Sequence, residues 1–292
     1  MIRPPPAFWL TVLVIAFPLI AAETLPYPPR SQNETVAGYG NRTGLATILT
    51  LDLGNGVKWE GVLVPAGSFV MGSPSGEAKT PQEAAQEQQH KVTISKPFYM
   101  GKYELTQKQY ATIMGANPSP IKGDELPVAN VSCQDAENFC EKAGMLLKRS
   151  VKLPTEAQWE YACRAGTTTA YYTGDPVSDL DKICWYSANS GGNPHPVGQK
   201  MPNAWGLYDM YGNIREIVRD LYAAKPQGDA VDPTGPTEGD KADHVIRGGA
   251  YTANALMAGN CRSASRRPTE SLKTTGFRVI VEIEEKQQSA SP

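Results

Sequence analysis

The segment best equipped for chemistry is 247–266, which has the sequence RGGAYTANALMAGNCRSASR. Five of its side chains are candidates for chemistry, and they supply a hydroxyl, an amide, a thiol and two guanidinium groups: Tyr251, Asn254, Cys261, Arg262 and Arg266. A thiolate acts as a nucleophile when a base activates it, and it binds copper(I) when a second soft ligand lies beside it. No nucleophile–base pair is recognisable in the sequence, so the residues alone leave the chemistry of this segment open.

The other cysteines and the histidines predict no metal centre. The chain has five cysteines and three histidines, without a CxxC motif or a Cys/His spacing typical of zinc. Cys133 and Cys140 lie seven residues apart in a helix-like stretch, and a rise of about 10 Å is too long for a disulfide between them. We expect surface or structural roles for the histidines, which are His90, His195 and His244. The alternative is that the three histidines bind a metal together.

The composition is that of a globular protein with many turns. Hydrophobic residues make up 40% of the chain and charged residues 20%. The 27 glycines and 24 prolines favour turns and long loops over a helical bundle. A formal net charge of −2 gives no electrostatic basis for binding nucleic acid or acidic membranes, so neither is expected as a partner.

The N-terminus has the plan of a secretory signal. One arginine precedes an apolar run that ends near Ile20, and Ala21-Ala22 provide small residues for cleavage. We predict a signal peptide over 1–22 and export to the periplasm or the extracellular space. The alternative is a retained membrane anchor, although the run is short for a spanning helix. The polar residues that follow are rich in Pro and Gly and predict a linker over 23–56.

The elements that must position the reactive segment are short. Residues 58–73 alternate around a Pro-Ala-Gly turn and predict a hairpin, and 90–106 predicts further strand. Three helices are predicted, with N-caps at Thr106, Ser132 and Thr155 and ends at Gly115, Gly144 and Gly166. Short helices set among strands and long loops indicate an irregular α+β domain.

Eight phrases occur in a fixed order: GSFVMGS, KYELTQKQY, PVANVSCQDAENFC, KLPTEAQWEYACRAG, PNAWGLYDMYGNIREI, RGGAY, CRSASR and TGFRV. Together they resemble the formylglycine-generating-enzyme family, also called the sulfatase-modifying-factor family. The resemblance covers about 57–284, which we predict as the domain, with a polar tail at 285–292. It implies an α+β fold similar to a C-type lectin core, elaborated with loops.

The resemblance also implies what is missing from the reactive segment. The best-known members use copper and dioxygen to oxidise a sulfatase cysteine to formylglycine, and their two copper-binding cysteines match Ala253 and Ala258 here. Cys261 lies three residues beyond the second position, and one thiolate cannot form a two-coordinate dithiolate site. Family residues beside the oxygen pocket are replaced by Ala250 and Arg215. We therefore expect no copper and no formylglycine synthesis.

A structural calcium is implied by the phrase LYDMYGNIRE. Its ligands would be the side chains of Asp209 and Glu216 and the backbone carbonyls of Gly212 and Ile214, since calcium takes several oxygen ligands from turn residues. The alternative is a solvated acidic turn. A second family calcium site starts at the match to Asn189, but its aspartate has no counterpart in NSGGNPHPVG.

Two arginines of the reactive segment are candidate ligand-binding residues. Arg262 and Arg266 match family arginines near the substrate groove, and arginine can hold peptide carbonyls or a carboxylate with forked hydrogen bonds. The alternative is that these arginines, with Arg247 and Arg278, form buried pairs with acids such as Glu160.

A disulfide between Cys163 and Cys261 is also implied by the resemblance, because some members bridge this helix end to a cysteine two positions beyond the match to Cys261. Export favours the bridge, and a bridged sulfur is neither a nucleophile nor a copper ligand. The alternative is that Cys261 is a free, catalytic thiol.

The function expected from these features is that of an exported peptide- or ligand-binding domain without copper oxidase activity. The alternative is an enzyme of the same family that acts in protein or peptide maturation, by formylglycine formation or another tailoring reaction. Its candidate groups are Tyr251, Asn254, Cys261 and Arg215. The expected partner is a sulfatase or another exported peptide or protein.

Overall fold

The computed structural model describes residues 27–74, 87–175, 177–222, 228–236, 244–254, 265–267 and 273–284. The helices are α1 (Val36–Thr43), α2 (Gln107–Met114), α3 (Cys133–Leu147), α4 (Glu156–Arg164) and α5 (Leu180–Ile183), the last preceded by a 3-10 turn at Val177–Asp179. The strands are β1 (Ile48–Asp52), β2 (Lys58–Val64), β3 (Gly67–Met71), β4 (His90–Ile94), β5 (Phe98–Gly101), β6 (Val151–Lys152), β7 (Arg215–Leu221), β8 (Ala230–Val231), β9 (His244–Arg247), β10 (Ser265–Arg267), β11 (Thr275–Gly276) and β12 (Ile280–Glu282). Short strands outnumber short helices in these ranges, which confirms the predicted α+β class.

The helix starts are confirmed. Thr106, Ser132 and Thr155 are the N-caps of α2, α3 and α4, and in each helix the third residue closes a capping box. One predicted end is wrong, because α3 continues through Gly144 to Leu147. A side chain at Gly144 would approach the carbonyl oxygen of Arg149 to 3.1 Å, so this glycine serves close packing inside the helix rather than termination.

The strands form three sheets. Their orders are β1-β2-β5-β12-β6, β10-β9-β7-β11 and β3-β4-β8. The hairpin predicted over 58–73 is wrong, because β2 pairs with β1 and β5 whereas β3 pairs with β4. Pro65 and Ala66 turn the chain from one sheet into another, and the local turn signal could not reveal which partners each strand finds.

Part of the segment predicted as a linker over 23–56 belongs to the fold. Residues 36–43 form α1, and β1 pairs antiparallel with β2 from Ile48↔Val62 to Asp52↔Lys58. Tyr39 on α1 is completely buried. The Gly- and Pro-rich composition suggested a linker, but burial of a single aromatic and pairing with β2 anchor this segment to the five-stranded sheet.

The core lies between the sheets and around α3 and α4. Trp159 of α4 is completely buried in one hydrophobic cluster, and Phe139 of α3 packs with Tyr110 and Phe277 in another. Within the ranges that the structure describes, no helix is long and apolar enough to cross a membrane.

Candidate functional site

One cluster of buried charges lies between α4 and β9, and we call its four residues, Glu156, Glu160, Arg164 and Arg247, the balanced cluster. Glu160 accepts hydrogen bonds from Arg164 on Oε1 (2.7 Å) and from Arg247 on Oε2. Arg247 Nη1 also lies 3.9 Å from Glu156 Oε1. Two acids face two arginines, so the formal charges cancel. The buried pairing considered for Arg247 is therefore confirmed.

A second buried cluster differs in its charge, and we call its members, Glu104, Asp209, Glu216 and Arg278, the acid-rich cluster. Arg278 donates from Nε and Nη2 to the two oxygens of Glu216, each at 2.7 Å. Trp159 Nε1 donates to Glu216 Oε2 at 2.8 Å. The guanidinium also binds the carbonyls of Gly101 and Tyr208, so Arg278 is a buried structural residue, as the alternative for the arginines proposed.

Glu104 was missed by the sequence reasoning. It accepts hydrogen bonds from the amide of Asn213 (2.8 Å) and the backbone N–H of Ile214 (2.9 Å), and it is 1% exposed. Burial raises the pKa of Glu104 well above its usual value, and the negative charges of Asp209 and Glu216 raise it further. Only its place in KYELTQKQY, one of the shared phrases, marked it in the sequence.

Asp209 is the member of the acid-rich cluster with an unused oxygen. Its Oδ2 accepts a hydrogen bond from Gly198 N at 2.7 Å, while Oδ1 is buried and has no hydrogen-bond partner among the described residues. Burial raises the pKa of Asp209 to about 6. Three carboxylates and one guanidinium leave a formal excess of two negative charges when all are ionised.

The residues expected to bind calcium are compatible with such an ion. Asp209 Oδ1 is a buried oxygen without a hydrogen-bond partner among the described residues. Within the same ranges Glu216 Oε1 accepts one hydrogen bond, from Arg278, and so retains a lone pair. Gly212 is packed so closely that a Cβ would lie 2.3 Å from Trp185 O, so a side chain there would displace the turn. Across the described ranges, no three His, Cys, Asp or Glu side chains come together as a metal site, so any cation here must use backbone carbonyls as well.

Asn189, the start of the doubtful second calcium site, has other contacts. Its Oδ1 accepts a hydrogen bond from Tyr186 N at 2.9 Å, and its Nδ2 donates to Asp181 and to the carbonyl of Cys184. These bonds close a turn after α5. They assign Asn189 a local structural role.

Within the reactive segment, residues 248–254 form a loop that is held by backbone hydrogen bonds. Tyr251 N donates to Asn213 O at 2.7 Å, Ala253 N donates to Ala250 O at 2.8 Å, and Ser187 N donates to Ala253 O at 2.9 Å. Ser190 Oγ binds the carbonyl of Tyr251. The side chains of Ala250, Tyr251 and Ala253 are buried. Ala253, which the resemblance aligns with the first copper-binding cysteine of the family, thus carries a buried methyl group.

Arg215 lies at the start of β7, beside β11. Its N–H donates to Thr274 O, and it pairs in register with Thr275. The side chain is half-buried, burial lowers its pKa, and no described residue forms a salt bridge with it. The Arg215 guanidinium is therefore a cation near the 248–254 loop, and no described acidic residue forms a salt bridge with it.

A stacked group of rings lies beside the same loop, and sequence reasoning did not find it. The rings of Trp185 and His195 are parallel, with centroids 3.7 Å apart, and Lys200 Nζ lies 3.8 Å from the Trp185 ring centroid. His195 also exchanges backbone hydrogen bonds with the amide of Asn213. The structural role expected for His195 agrees with these contacts.

The remaining expectations concern residues outside the described ranges. Ala258, Cys261 and Arg262 lie there, and for Arg266 the structure describes only the backbone pairing with Val245. Cys163 is buried at the end of α4. The Cys163–Cys261 disulfide and the ligand-binding roles of Arg262 and Arg266 therefore stay predictions.

Comparison with known proteins agrees with the fold and the shared phrases. Residues 57–283 match the family described as "Sulfatase-modifying factor enzyme 1-like domain". The chain is 31% identical over 207 residues to chaperone protein LppX of Paenibacillus barcinonensis, covering 53% of this chain and 69% of that protein. It is 30% identical over 184 residues to the formylglycine-generating enzyme of Mus musculus, covering 58% of this chain and 47% of the enzyme.

Solved structures share the architecture. Treponema denticola variable protein 1 superposes with a TM-score of 0.74 at 24% identity, covering 82% of this chain and all of that one. PvdO from Pseudomonas aeruginosa gives 0.66 at 23% identity, covering 80% and 98%. This chain belongs to the sulfatase-modifying-factor family and has its α+β, C-type-lectin-like fold. It spans about half the length of the formylglycine-generating enzymes that it matches.

Proposed function

We propose that this chain is an exported protein-binding domain of the sulfatase-modifying-factor family without copper oxidase activity. The observation that carries the proposal is the buried alanine at 253, held in a loop whose path is fixed by backbone hydrogen bonds. Copper(I) needs two soft ligands here. The second family position is Ala258, and Cys261 is the only cysteine from 247 onward.

Binding of a protein partner is supported by two features. The relative from Paenibacillus barcinonensis is named a chaperone protein, and a chaperone acts on other proteins. Arg215 provides a half-buried cation beside the loop, without a salt bridge to any described residue, and such a group suits a carboxylate of a bound segment. Export is proposed from the apolar run before Ala21-Ala22, and the partner would then be a sulfatase or another exported protein.

A calcium ion is proposed as a structural element of this domain. Asp209 and Glu216 would hold it with the carbonyls of Gly212 and Ile214, and it would offset the negative charge of the acid-rich cluster. The ion would fix the turn at 209–216 that carries Asn213, whose carbonyl receives the N–H of Tyr251.

The absence of oxidase chemistry is tested with the purified chain, copper(I) and a peptide of sequence Cys-x-Pro-x-Arg. We expect no stoichiometric copper and no loss of the peptide thiol by mass spectrometry. The matched test is the double variant Ala253→Cys/Ala258→Cys, which should gain copper, whereas Ala253→Ser/Ala258→Ser should not. Loss of the peptide thiol with the wild-type chain would contradict this proposal and favour the alternative, an enzyme of the same family that acts in protein or peptide maturation.

The state of Cys261 is tested separately. We propose a disulfide from Cys163 to Cys261, and non-reducing peptide mapping should recover the two tryptic peptides joined. Cys140 and Cys184 are internal controls, because burial raises the pKa of each thiol to about 12 and both should resist alkylation in the folded chain. Rapid alkylation of Cys261 in the native, unreduced protein would exclude the bridge and return Cys261 to the catalytic candidates.

A further inference from the structure

The strand β3 lies at the edge of its three-stranded sheet, and a groove of about 560 Å³ is lined by residues 67–70 of β3 together with Lys91 of β4. One wall is β3 itself. The other is formed by 29–32 and by 166–168, which follow α4. None of the residues of the 248–254 loop lines this groove.

The backbone of β3 is satisfied at both ends of this edge. At one end, Arg30 N donates to Ala66 O at 2.8 Å. At the other end, Gly72 N donates to Glu160 Oε1 at 2.9 Å, and Gly72 O accepts a hydrogen bond from Arg164 at 3.0 Å. The backbone groups of Ala66 and Gly72 therefore face away from β4.

Between these ends no described residue pairs with the edge. Alternate residues of a strand direct their backbone groups to the same side, so Ser68 and Val70 face the groove, as Ala66 and Gly72 do. The far side of β4 gives the same result. Lys91 N donates to Asp229 Oδ1 and Thr93 O accepts from Asp232 N, so these two residues direct their backbone groups away from β3, and their register partners Val70 and Ser68 do not bond to β4. Among the described residues, no partner hydrogen-bonds the N–H or C=O of Ser68 or Val70. Two donors and two acceptors are thus spaced for one short added strand.

The side chains around this edge favour a negatively charged partner. Lys91, which pairs in register with Val70, and Arg30 line the groove, and no acidic side chain is among its described lining residues. Arg164 also lines it but is neutralised by Glu160. The chain as a whole has a formal charge of −2, so this surface is locally opposite in sign to the rest of the molecule.

Apolar contacts are available beside the charges. Val70 is 49% exposed, and Phe69 packs against Tyr161 with ring centroids 5.2 Å apart. An exposed edge with unsatisfied backbone groups and an apolar side chain is a template for pairing with another chain.

We propose that the free edge of β3 binds an extended, acidic segment of a partner protein by strand addition. The segment would pair its backbone with Ser68 and Val70 and place a carboxylate near Lys91 or Arg30. For the identity of the partner the inference rests on the protein-binding function proposed above, but the surface is separate from the 248–254 loop.

The test uses the full chain and a fluorescein-labelled probe, the hexapeptide Thr-Val-Glu-Val-Asp-Val, with fluorescence anisotropy as the readout. Val70→Pro removes one of the two outward N–H groups, that of Val70, without breaking the β3–β4 ladder, since proline is tolerated on an edge strand. Val70→Ala is the matched control because it shortens the same side chain and keeps the N–H. We expect Val70→Pro to weaken binding about tenfold and Val70→Ala about twofold or less.

Charge is tested with Lys91→Glu and with a probe in which Lys replaces Glu and Asp. Both changes should reduce binding, and the wild-type affinity should fall as salt is raised. Circular dichroism and melting temperature verify that each variant is folded.

Three outcomes would overturn the proposal: no binding of the acidic probe by the wild-type chain, equal affinity of Val70→Pro and Val70→Ala, or a concentration-dependent dimer that Val70→Pro abolishes and the probe does not compete with. The last would assign the edge to a second copy of this chain. Thiol loss from the Cys-x-Pro-x-Arg peptide would refute the proposed lack of oxidase activity without affecting any of these measurements.

Discussion

The balanced cluster and the acid-rich cluster are both buried, yet the formal charges of their four members cancel only in the first. In the balanced cluster two acids meet two arginines, and Arg164 and Arg247 share Glu160. In the acid-rich cluster Arg278 serves Glu216 alone by direct contact, while Glu104 and Asp209 rely on neutral donors. Buried charge is costly unless it is paired. The members of the balanced cluster can therefore all stay ionised, whereas the excess negative charge of the acid-rich cluster must be offset by protons or a cation.

Trp159 joins the two clusters. Its Nε1 donates to Glu216, and the Arg247 guanidinium carbon lies 5.2 Å from its ring centroid. The neighbouring strands bring the clusters together a second time, because Glu216 pairs in register with Arg247. The two clusters are therefore halves of one buried unit. Replacing the arginine of each cluster in turn tests how its charge balance affects stability.

Arg278→Met should have the largest effect. It leaves three buried carboxylates without their only buried guanidinium, and the free energy of unfolding should fall by about 5 kcal/mol. Urea denaturation measures the loss. Arg278→Lys keeps the charge but not the forked pair of hydrogen bonds, and its free energy of unfolding should lie between those of Arg278→Met and the wild type. A loss below about 1 kcal/mol for Arg278→Met would mean that the pairing of Arg278 with Glu216 is not needed for stability.

Arg247→Met should cost less, about 3 kcal/mol, because Arg164 still pairs with Glu160. The same urea experiment applies, and the ranking of the two variants is the decisive result. Equal losses would show that the charge balance of the clusters does not govern their stability.

Asp209→Asn tests whether calcium stabilises the chain through the acid-rich cluster. Calcium should raise the melting temperature of the wild type, with a gain of about 2.7 kcal/mol at a hundred times the dissociation constant. The variant should lose this response. In chelator it should be at least as stable as the wild type, because it removes one buried negative charge and keeps the shape of the side chain.

The calcium experiment has a clear contradicting result. If chelator leaves the wild-type melting temperature unchanged, the acid-rich cluster is not balanced by calcium. Arg247→Met, which changes the balanced cluster, should retain the calcium response and serves as the control.

Trp159→Phe should have the smallest effect of the four. It retains most of the ring under Arg247 and removes the donor to Glu216, so the loss should be about 1–2 kcal/mol. Combined with Arg247→Met in a double-mutant cycle, it measures how strongly the two clusters are coupled. Additive losses would show that they act independently.

Local patterns in the sequence predicted much of the scaffold. The N-caps at Thr106, Ser132 and Thr155 each depend on side chains within three residues, so a short window contains the whole signal. The hairpin predicted over 58–73 failed because the choice of partner for β2 and β3 depends on strands far along the chain. The prediction of a linker over 23–56 failed for a similar reason, because β1 lies within this segment and forms only by pairing with β2.

The candidate site was predicted only in part. The absence of a cysteine at 253 was visible in the sequence, and the structure adds that this position is buried. The pairing of Arg247 with Glu160 was an open alternative, because composition cannot show which of several arginines and acids meet. Glu104 could not be placed, since it is more than a hundred residues from Asn213 and its burial is set by the whole fold.

The backbone bonding of the 248–254 loop has a consequence for protein engineering. Its main-chain bonds to Asn213 and Ser187 and within the loop involve no side chain of 248–254. These bonds hold the main chain without the side chain of the exposed Thr252, whereas the side chains of Ala250, Tyr251 and Ala253 are buried and pack beneath the loop. The domain can serve as a display scaffold, in which a new side chain introduced at 252, an exposed position of this loop, leaves the underlying frame unchanged.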